Sequence, residues 1–302
     1  MVRKNINIIM QNFEIIKKSE ITSTTKLPLI SIVIPCFNRE NLVLDAIESA
    51  LSQSYPFLEV VVSDNASTDK TLKNCLNLVK NDKRVTVIRN FKNLGPVKNW
   101  YNGISVSEGE FINLLFSDDF LHRDFLNILF HNLDDNHAFS LSNYEVGKSP
   151  EKMLNLKSFK EEIFIHLSKN LLFRYAFGID FKFVSPCSAL FRKIDISNSL
   201  HMSINGDISE NSLNTGAGPD LMIFLNTLSK YPFYSYTKNK LVFFRNHKNS
   251  FTMGKYKKIV KSCYKETLSK FFRNQKIDLK VAYFLRHIAK VIYLIKKYFR
   301  NT

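Results

Sequence analysis

The sequence has few of the residues that mark disordered or cross-linked proteins. Its 302 residues include only 9 glycines and 8 prolines, which argues against a low-complexity or disordered chain. The four cysteines form no CxxC pair, so free thiols in a reducing compartment fit better than disulfides or a zinc site: Cys36, Cys75, Cys187 and Cys263. With 45% hydrophobic residues, the chain can bury a substantial core. Its length suits one large α/β domain with an appendage, or two small domains.

Long apolar runs and acidic residues near the C-terminus are also scarce. No stretch approaches the ~18–20 apolar residues that span a bilayer. Residues 1–20 interrupt their apolar positions with Asn, Gln, Glu and Lys, unlike a secretory signal, so we expect a cytoplasmic protein. Residues 255–302 hold 14 Lys/Arg against two acids and carry most of the formal net charge of +16. A nucleic-acid-binding protein more often has a basic face on its main domain, so we expect no nucleic-acid partner.

Apolar runs and amphipathic stretches alternate in the first half of the chain. Short apolar runs predict strands buried on both faces, at 29–35, from 58, at 84–90 and at 110–116. Helical spacing predicts helices within 41–54, 71–81 and 93–109. This β-α-β-α-β-α-β order with short connections indicates an α/β fold with a mostly parallel, Rossmann-like sheet flanked by helices.

The second half is less regular. We predict a helix at 161–173, extended structure at 181–193, a helix at 220–231 and a strand within 235–250. Residues 201–220 are polar and contain glycine, which predicts a long loop of the kind that often forms a lid or substrate edge.

Polar residues follow each of the four predicted strands of the first half. They are Asn38, Asp64, Asn93 and the adjacent pair Asp118 and Asp119. Each alone is equally well explained as an ordinary turn or capping residue. Together they favour a binding site, because ligands of such sheets bind beyond the carboxyl ends of the strands.

Two ordered motifs carry a family resemblance. The first runs from Pro-x-Phe-Asn through Ser-x-x-x-Gln to an acid and Asn-Ala-Ser-x-Asp, with Pro35, Phe37, Asn38, Gln53, Asp64, Ser67 and Asp69 at its fixed positions. The second is Asn-x-Gly followed by Asn-x-x-x-Gly-Ile, with Asn93, Gly95, Asn99 and Gly103. Over roughly residues 28–250 the chain resembles the family 2 glycosyltransferases, which have the GT-A fold.

The resemblance implies a site for a nucleotide-diphosphate sugar donor. It assigns contact with the nucleoside to Asp64, against which the loop from Pro35 to Arg39 lies, and it brings Lys98 towards the nucleotide. The implied donor-binding residues are Pro35, Phe37, Asn38, Arg39, Asp64, Asn93, Lys98 and Asp118.

The resemblance also implies a divalent cation, Mn²⁺ or Mg²⁺, on the sugar diphosphate. The family holds it with an Asp-x-Asp-type motif, but Phe116 stands where the first acid commonly lies, which fits a Ser-Asp-Asp variant. Asp119 is then the metal ligand, and Asp118 contacts the ribose or the metal. His247 lies in a turn that resembles the family's Arg-x-His-x-x-Ser element, whose His completes the metal shell or touches the diphosphate; the alternative is a solvated turn histidine.

Asp220 matches the acid that serves the family as general base at the start of an acceptor-side helix. The alternative is that it only stabilises the helix macrodipole. We predict an inverting, metal-dependent glycosyltransferase acting on a hydroxyl of a glycan or lipid-linked acceptor, in the synthesis of a surface polysaccharide such as lipopolysaccharide O-antigen or capsule. The alternatives are a non-catalytic nucleotide-sugar-binding protein, which Phe116 favours, and a basic nucleic-acid- or membrane-binding protein, which the strand-end acids oppose.

The predicted organisation has three parts: an N-terminal extension at 1–26, a GT-A domain at 27–254 and a basic amphipathic helical tail at 255–302. Within the domain, 27–120 form the nucleotide-binding half and 121–254 the acceptor half. For 280–302 two interpretations stay open. The helix packs on the domain with its basic face solvated, or it lies on an anionic membrane surface and makes the protein peripheral on the inner face of the cell membrane.

Overall fold

The computed structural model describes residues 12–22, 25–154, 162–177, 185–206, 208–246 and 256–274. Its strands are β1 Phe13–Lys17, β2 Ile30–Cys36, β3 Leu58–Asp64, β4 Val85–Asn90, β5 Phe111–Leu114, β6 Phe120–Leu121, β7 His137–Gly147, β8 Ile163–Leu167, β9 Ala189–Arg192 and β10 Phe233–Arg245. Its helices are α1 Val43–Leu51, α2 Thr71–Leu78, α3 Pro96–Val106, α4 Phe125–His131, α5 Glu151–Leu154, α6 Ser168–Phe177, α7 Lys193–Asn205, α8 Glu210–Thr215, α9 Pro219–Leu228 and α10 Lys257–Asn274.

The strands form one mixed sheet in the order β1-β4-β3-β2-β5-β9-β7-β10-β6, with β8 paired to β10. Strands β4, β3, β2 and β5 are mutually parallel, and in this register Ile32 of β2 lies beside Val60 of β3 and Asn113 of β5. Every residue of β2 and β3 is buried, because helices cover both faces of the sheet. The predicted parallel sheet is confirmed, and its carboxyl ends meet at one edge.

Side chains of β2 alternate between two apolar layers. Ile32 and Ile34 pack in the layer that contains α1, α2 and α4, whereas Val33 packs with α3, α7 and α9. This alternation is the period-two geometry of a strand. It explains why continuous apolar runs, rather than alternating ones, encode these strands.

Two predictions for the second half are wrong. The first part of the predicted helix at 161–173 is strand β8, which pairs antiparallel with β10 from Ile163 to Leu167; only from Ser168 is the chain helical. The predicted loop at 201–220 is largely helical, since α7 extends to Asn205 and α8 follows.

Helix α8 has a capping residue at each end. The hydroxyl oxygen of Ser209 accepts from the N–H of Ser212 at 3.4 Å and caps the N-terminus. Gly216, with φ +76°, ends the helix in the left-handed conformation, and its N–H donates to the Ser212 carbonyl at 2.9 Å. The polar composition of residues 201–220 predicted a loop, but the capping residues at both ends of α8 favour a helix there.

Elements near both ends of the described chain pack on this sheet. Strand β1 pairs antiparallel with β4, so part of the N-terminal extension forms the sheet edge. Helix α10 buries Cys263, Thr267, Phe271 and Phe272 against the domain. Among the described residues, no helix has the length and apolar character needed to cross a membrane. His247 and residues 280–302, for which we made site and membrane predictions, lie outside the described residues.

Candidate active site

Hydrogen bonds tie the loop after β2 to the loop after β3. Asn38 has φ +50°, a left-handed conformation that asparagine tolerates better than most residues. Its N–H donates to the Ser67 hydroxyl at 3.0 Å, and its side-chain oxygen accepts from the N–H of Thr68 at 2.9 Å. The N–H of Ser67 in turn donates to Oδ2 of Asp64 at 3.1 Å. The sheet edge therefore presents Asn38 and Asp64 as one hydrogen-bonded unit.

Asp64 is fully buried at the end of β3. Burial raises the pKa of this carboxyl, while hydrogen bonds from Ser67 and the charge of Arg89 act in the opposite direction. Arg89 Nε lies 3.9 Å from Oδ2 of Asp64, so a cationic side chain of β4 borders the same site. Asp64 thus lies at the strand end between the Ser67 loop and the Arg89 side chain.

The other predicted donor-binding residues occupy different parts of this edge. Pro35 is buried within β2, and Phe37 is 38% exposed directly after the strand. Arg39 is half-buried, and its N–H donates to the Thr71 hydroxyl at 2.7 Å. Lys98 is exposed on the first turn of α3. The structure thus groups the Phe37–Arg39 loop with Asp64 and leaves Lys98 accessible from solvent.

A buried network of amide side chains positions the loop that carries Asn93. Asn90 donates to Asn65 at 2.9 Å and to Asn99 at 2.8 Å, and Asn102 donates to Asn90 at 2.9 Å. Asn65 donates to Asn93 at 2.8 Å. The network links the ends of β3 and β4 to α3.

Asp118 and Asp119 follow β5 at the same edge. Asp119 is buried: its Oδ1 accepts from the N–H of Arg245 at 3.3 Å, and its Oδ2 accepts from the Cys187 thiol at 3.4 Å. Asp118 is half-buried beside it. Burial, and then the charge of Asp118, raise the pKa of Asp119 well above its ordinary value.

These two carboxylates fit a hard divalent cation. Two adjacent carboxylates with little hydration repel each other, and a bound cation replaces this repulsion with attraction. Within the described part of the chain, no group of three or more His, Cys, Asp or Glu side chains forms a metal cluster. Asp118 and Asp119 would therefore hold the ion together with substrate oxygens, as Mg²⁺ commonly binds through one or two carboxylates plus phosphates.

Arg245 ends β10 next to this pair. Besides its N–H bond to Asp119, its guanidinium donates to Asp45 of α1 at 2.6 Å, an ion pair in which the arginine side chain is 14% exposed. The end of β10 is thereby fixed to the first half of the fold.

Asp220 lies in the first turn of α9 and is buried. Its Oδ1 accepts from the N–H groups of Gly218 at 2.8 Å and Leu221 at 2.7 Å, and its Oδ2 accepts from the Tyr264 hydroxyl of α10 at 2.6 Å. Burial raises the pKa of Asp220 to about 6, although these hydrogen bonds lower it. A carboxyl with this pKa is ionised at neutral pH and can still take up a proton, as a general base must.

Trp100 packs between the loop that precedes Asp220 and Phe116, which follows β5. A Cβ added at Gly216 would lie 2.5 Å from the Trp100 ring, so only glycine allows this approach at φ +76°. The Trp100 ring centroid lies 5.3 Å from that of Phe116, two residues before Asp118. The structure thus packs Gly216 of the loop before α9 and Phe116 after β5 against one buried tryptophan.

Sequence analysis missed three residues of this arrangement. Cys187 and Tyr264 reach Asp119 and Asp220 from 68 and 44 residues away, and no local pattern marks either contact. Trp100 is the single tryptophan of the chain, which was an available signal.

Comparison with known proteins agrees with this architecture. The family model for glycosyl transferase family 2 matches residues 31–198. The GalNAc(5)-diNAcBac-PP-undecaprenol beta-1,3-glucosyltransferase of Campylobacter jejuni is 35% identical over 124 residues, 40% of each chain. Chondroitin synthase of Escherichia coli is 38% identical over 111 residues, 36% of this chain and 16% of the synthase. The chain spans 40% or less of the length of these relatives.

Solved structures show the same fold. S. aureus TarS 1-349 in complex with UDP-GlcNAc matches with a TM-score of 0.57 at 16% identity, over 80% of this chain and 71% of TarS 1-349. Mannosyltransferase PcManGT from Pyrobaculum calidifontis, in complex with GDP-Man and Mn²⁺, matches with a TM-score of 0.54 at 16% identity, over 92% of this chain and 71% of PcManGT. The architecture is the GT-A fold. The chain belongs to glycosyl transferase family 2.

Proposed function

We propose that this protein is an inverting glycosyltransferase that moves a sugar from a nucleotide-diphosphate sugar to an acceptor hydroxyl. The observation that carries the proposal is the group of acids at the carboxyl ends of β3 and β5, Asp64 and the pair Asp118–Asp119. The buried Asp220 supports it, because the loop before its helix packs against Trp100 of α3. Family membership and the nucleotide sugars in the TarS and PcManGT complexes support a nucleotide-sugar donor.

The donor side supplies binding and charge stabilisation. Asp64 and the Asn38 loop hold the nucleoside at the ends of β2 and β3, and Asp118 and Asp119 face the diphosphate. Asp118 and Asp119 would hold a divalent cation, Mn²⁺ or Mg²⁺, which would supply Lewis-acid stabilisation of the leaving diphosphate. Arg89, 3.9 Å from Asp64, adds positive charge beside the nucleotide.

The acceptor side supplies the base. The proton of the acceptor hydroxyl passes to the Asp220 carboxylate as the hydroxyl oxygen forms a bond to the anomeric carbon. The bond from that carbon to the diphosphate oxygen breaks, and its electron pair leaves with the nucleotide diphosphate. Attack from the face opposite the leaving group inverts the anomeric centre, and no enzyme nucleophile is needed.

A panel of nucleotide sugars with Mn²⁺ tests the function. We expect one donor at about 100 times its Kd to raise the free energy of unfolding by about 2.7 kcal/mol, and thus Tm by several degrees. The same donor should release nucleotide diphosphate when an acceptor is present. Asp64→Asn should weaken the shift, whereas Asp82→Asn should keep it, because Asp82 precedes β4 at the opposite sheet edge and pairs with Arg84.

The outcomes separate the two candidate functions. Tm shifts without release, alike in wild type and Asp220→Asn, would favour a non-catalytic nucleotide-sugar-binding protein. The packing of Phe116 against Trp100, at the position where the family commonly has an acid, is the observation that favours this alternative. No shift and no release with any donor would reject both.

We also propose that the acceptor is a glycan or lipid-linked hydroxyl in surface polysaccharide synthesis, and that the protein works on an anionic membrane surface. The names of the Campylobacter glucosyltransferase and the chondroitin synthase support the first point. Helix α10 supports the second: Lys258, Lys261 and Lys265 are exposed along one face, opposite the buried Cys263 and Thr267. Membrane-proximal lysines each add about 1 kcal/mol of attraction to anionic lipid.

Vesicle binding tests the membrane proposal. The full chain should bind vesicles containing anionic lipid, more weakly at high salt, and should not bind neutral vesicles. Neutralising all three residues in the variant Lys258→Gln/Lys261→Gln/Lys265→Gln should lower the partition coefficient about 100-fold, which corresponds to about 3 kcal/mol.

The control variant removes the same charge elsewhere. It neutralises three exposed lysines on and after α2: Lys73, Lys80 and Lys83. This variant should bind almost as the wild type does. Deleting residues 280–302 measures how much that segment contributes to vesicle binding. Equal binding to neutral and anionic vesicles, or equal losses in the α10 and control variants, would contradict the proposal.

A further inference from the structure

The candidate base has a hydrogen-bond partner on a helix that the sequence assigned to the tail. Tyr264 of α10 is half-buried, and its hydroxyl lies 2.6 Å from Oδ2 of Asp220. Oδ1 of the same carboxylate is held by the N–H groups of Gly218 and Leu221. One oxygen is therefore fixed by the start of α9 and the other by a separate helix.

Close packing fixes α10 at this position. Gly218 has φ +104°, and a Cβ added there would lie 2.4 Å from the Thr267 hydroxyl oxygen, one helical turn beyond Tyr264. The Glu266 carboxylate accepts hydrogen bonds from Ser209 at the N-terminus of α8, which lower its pKa. The backbone before Asp220 and the N-terminus of α8 thus both contact α10, which sets the register of Tyr264.

Two tyrosines interact with the Asp220 carboxyl: Tyr264 of α10, which donates to it, and Tyr175 of α6. Cys263 of α10 interacts with Tyr264, and the cation Arg174 of α6 interacts with Tyr175. Burial, and then the negative charge of Asp220, raise the pKa of Tyr264 well above its ordinary value, so this hydroxyl keeps its proton. A hydrogen bond from a neutral donor stabilises the carboxylate form relative to the carboxylic acid.

We propose that Tyr264 is a positioning residue for the base: its hydroxyl fixes the Asp220 carboxylate through Oδ2 and keeps it ionised at neutral pH. This inference rests on the proposed function, in which Asp220 takes the acceptor proton. A carboxylate oxygen has two lone pairs, so Tyr264 can keep its hydrogen bond and its own proton while the acceptor proton binds the remaining site. Tyr264 contacts neither the donor nor the acceptor in this proposal.

The test is the pH profile of kcat/KM for Tyr264→Phe, which removes one oxygen and keeps the ring. The wild type should lose activity as the pH falls through about 6, where Asp220 becomes protonated. Without the Tyr264 hydrogen bond the pKa of Asp220 rises, so the acidic limb should move up by about one pH unit. Activity should then be low near pH 6.5 and recover by pH 9, with the donor KM unchanged.

Tyr231→Phe is the matched control. Its hydroxyl donates to the buried Asp195 at 2.9 Å, the same kind of bond in the same half of the fold. This variant should leave the acidic limb in place. If Tyr264→Phe leaves the limb unmoved while Asp220→Asn abolishes transfer, the positioning role is wrong and the proposed function stands.

A second measurement does not require turnover. The difference in free energy of unfolding between wild type and Asp220→Asn, followed against pH, reports the titration of Asp220 in the folded protein. Its upper midpoint should lie near pH 6 in the wild-type background and about one unit higher in the Tyr264→Phe background. Identical midpoints would overturn the inference even in a protein that transfers no sugar.

Discussion

Replacing Asp220 with asparagine is expected to lower kcat by about 10²- to 10⁴-fold, the range for a lost general base. Asparagine keeps the oxygen that accepts from the N–H groups of Gly218 and Leu221, so the loop geometry is retained. It has no site for the acceptor proton. Donor affinity, measured by titration calorimetry, should stay within about twofold of wild type, because the proposed function puts Asp220 on the acceptor side.

The pKa of Asp220 determines the direction in which activity and stability change with pH. The pKa of Asp220 is about 6 in the folded protein, above its ordinary value, so wild-type kcat/KM should fall about tenfold per pH unit below 6. The contribution of this carboxyl to stability is largest below its unfolded pKa and decreases as the pH rises through about 6. Asp220→Asn should therefore be no less stable than wild type at pH 7.5.

Asp195→Asn is the matched control for Asp220→Asn. Asp195 is also a buried acid in the first turn of a helix, α7, and it pairs with Lys230 at 2.8 Å. Its replacement should reduce stability and leave kcat unchanged. An Asp220→Asn protein with wild-type kcat would refute the assignment of the base.

Asp119→Asn is expected to lower kcat/KM by at least about 10²-fold, a typical loss when one group that stabilises developing charge is removed. The variant should also lose the dependence of donor affinity on Mn²⁺, because one of the two carboxylates of the proposed cation site becomes neutral. Treating the wild type with EDTA should weaken donor binding in the same way, and added Mn²⁺ should restore it. Calorimetry of donor binding, with and without Mn²⁺, measures this apart from turnover.

Asp124→Asn is the control for the cation site. Asp124 is a half-buried acid five residues further along the chain, next to Arg123 rather than at the end of β5. It should retain Mn²⁺-dependent binding. Full activity of EDTA-treated wild type, together with unchanged donor binding by Asp119→Asn, would show that no cation acts here.

The first half of the fold was predictable because its sequence signals are local. Strands β2 and β3 are largely apolar runs, and each is followed by a polar turn within a few residues. In the second half, partners distant in sequence decide the structure. Residues Ile163–Leu167 are a strand because β10, about 70 residues away, pairs with them. Without that partner, the amphipathic stretch 161–173 fits a helix equally well.

The positions of three candidate site residues could also be predicted from the order of the strands. Asp64, Asp118 and Asp119 lie at the predicted sheet edge because parallel strands end together. Their roles stay predictions. The surroundings of the acids were not predictable: Cys187 reaches Asp119 only after β9 pairs antiparallel with β5, and Tyr264 reaches Asp220 only after α10 packs on Gly218.

Helix α10 carries two features: an inner tyrosine that bonds to the candidate base and an outer row of lysines. Thermodynamic linkage then applies. A ligand that binds the outer face more tightly when α10 is packed on the domain stabilises that packing. By reciprocity, anything that stabilises the packing strengthens the binding of that ligand by the same factor. Binding of a ligand to the outer face of α10 and protonation of Asp220 would then be thermodynamically coupled.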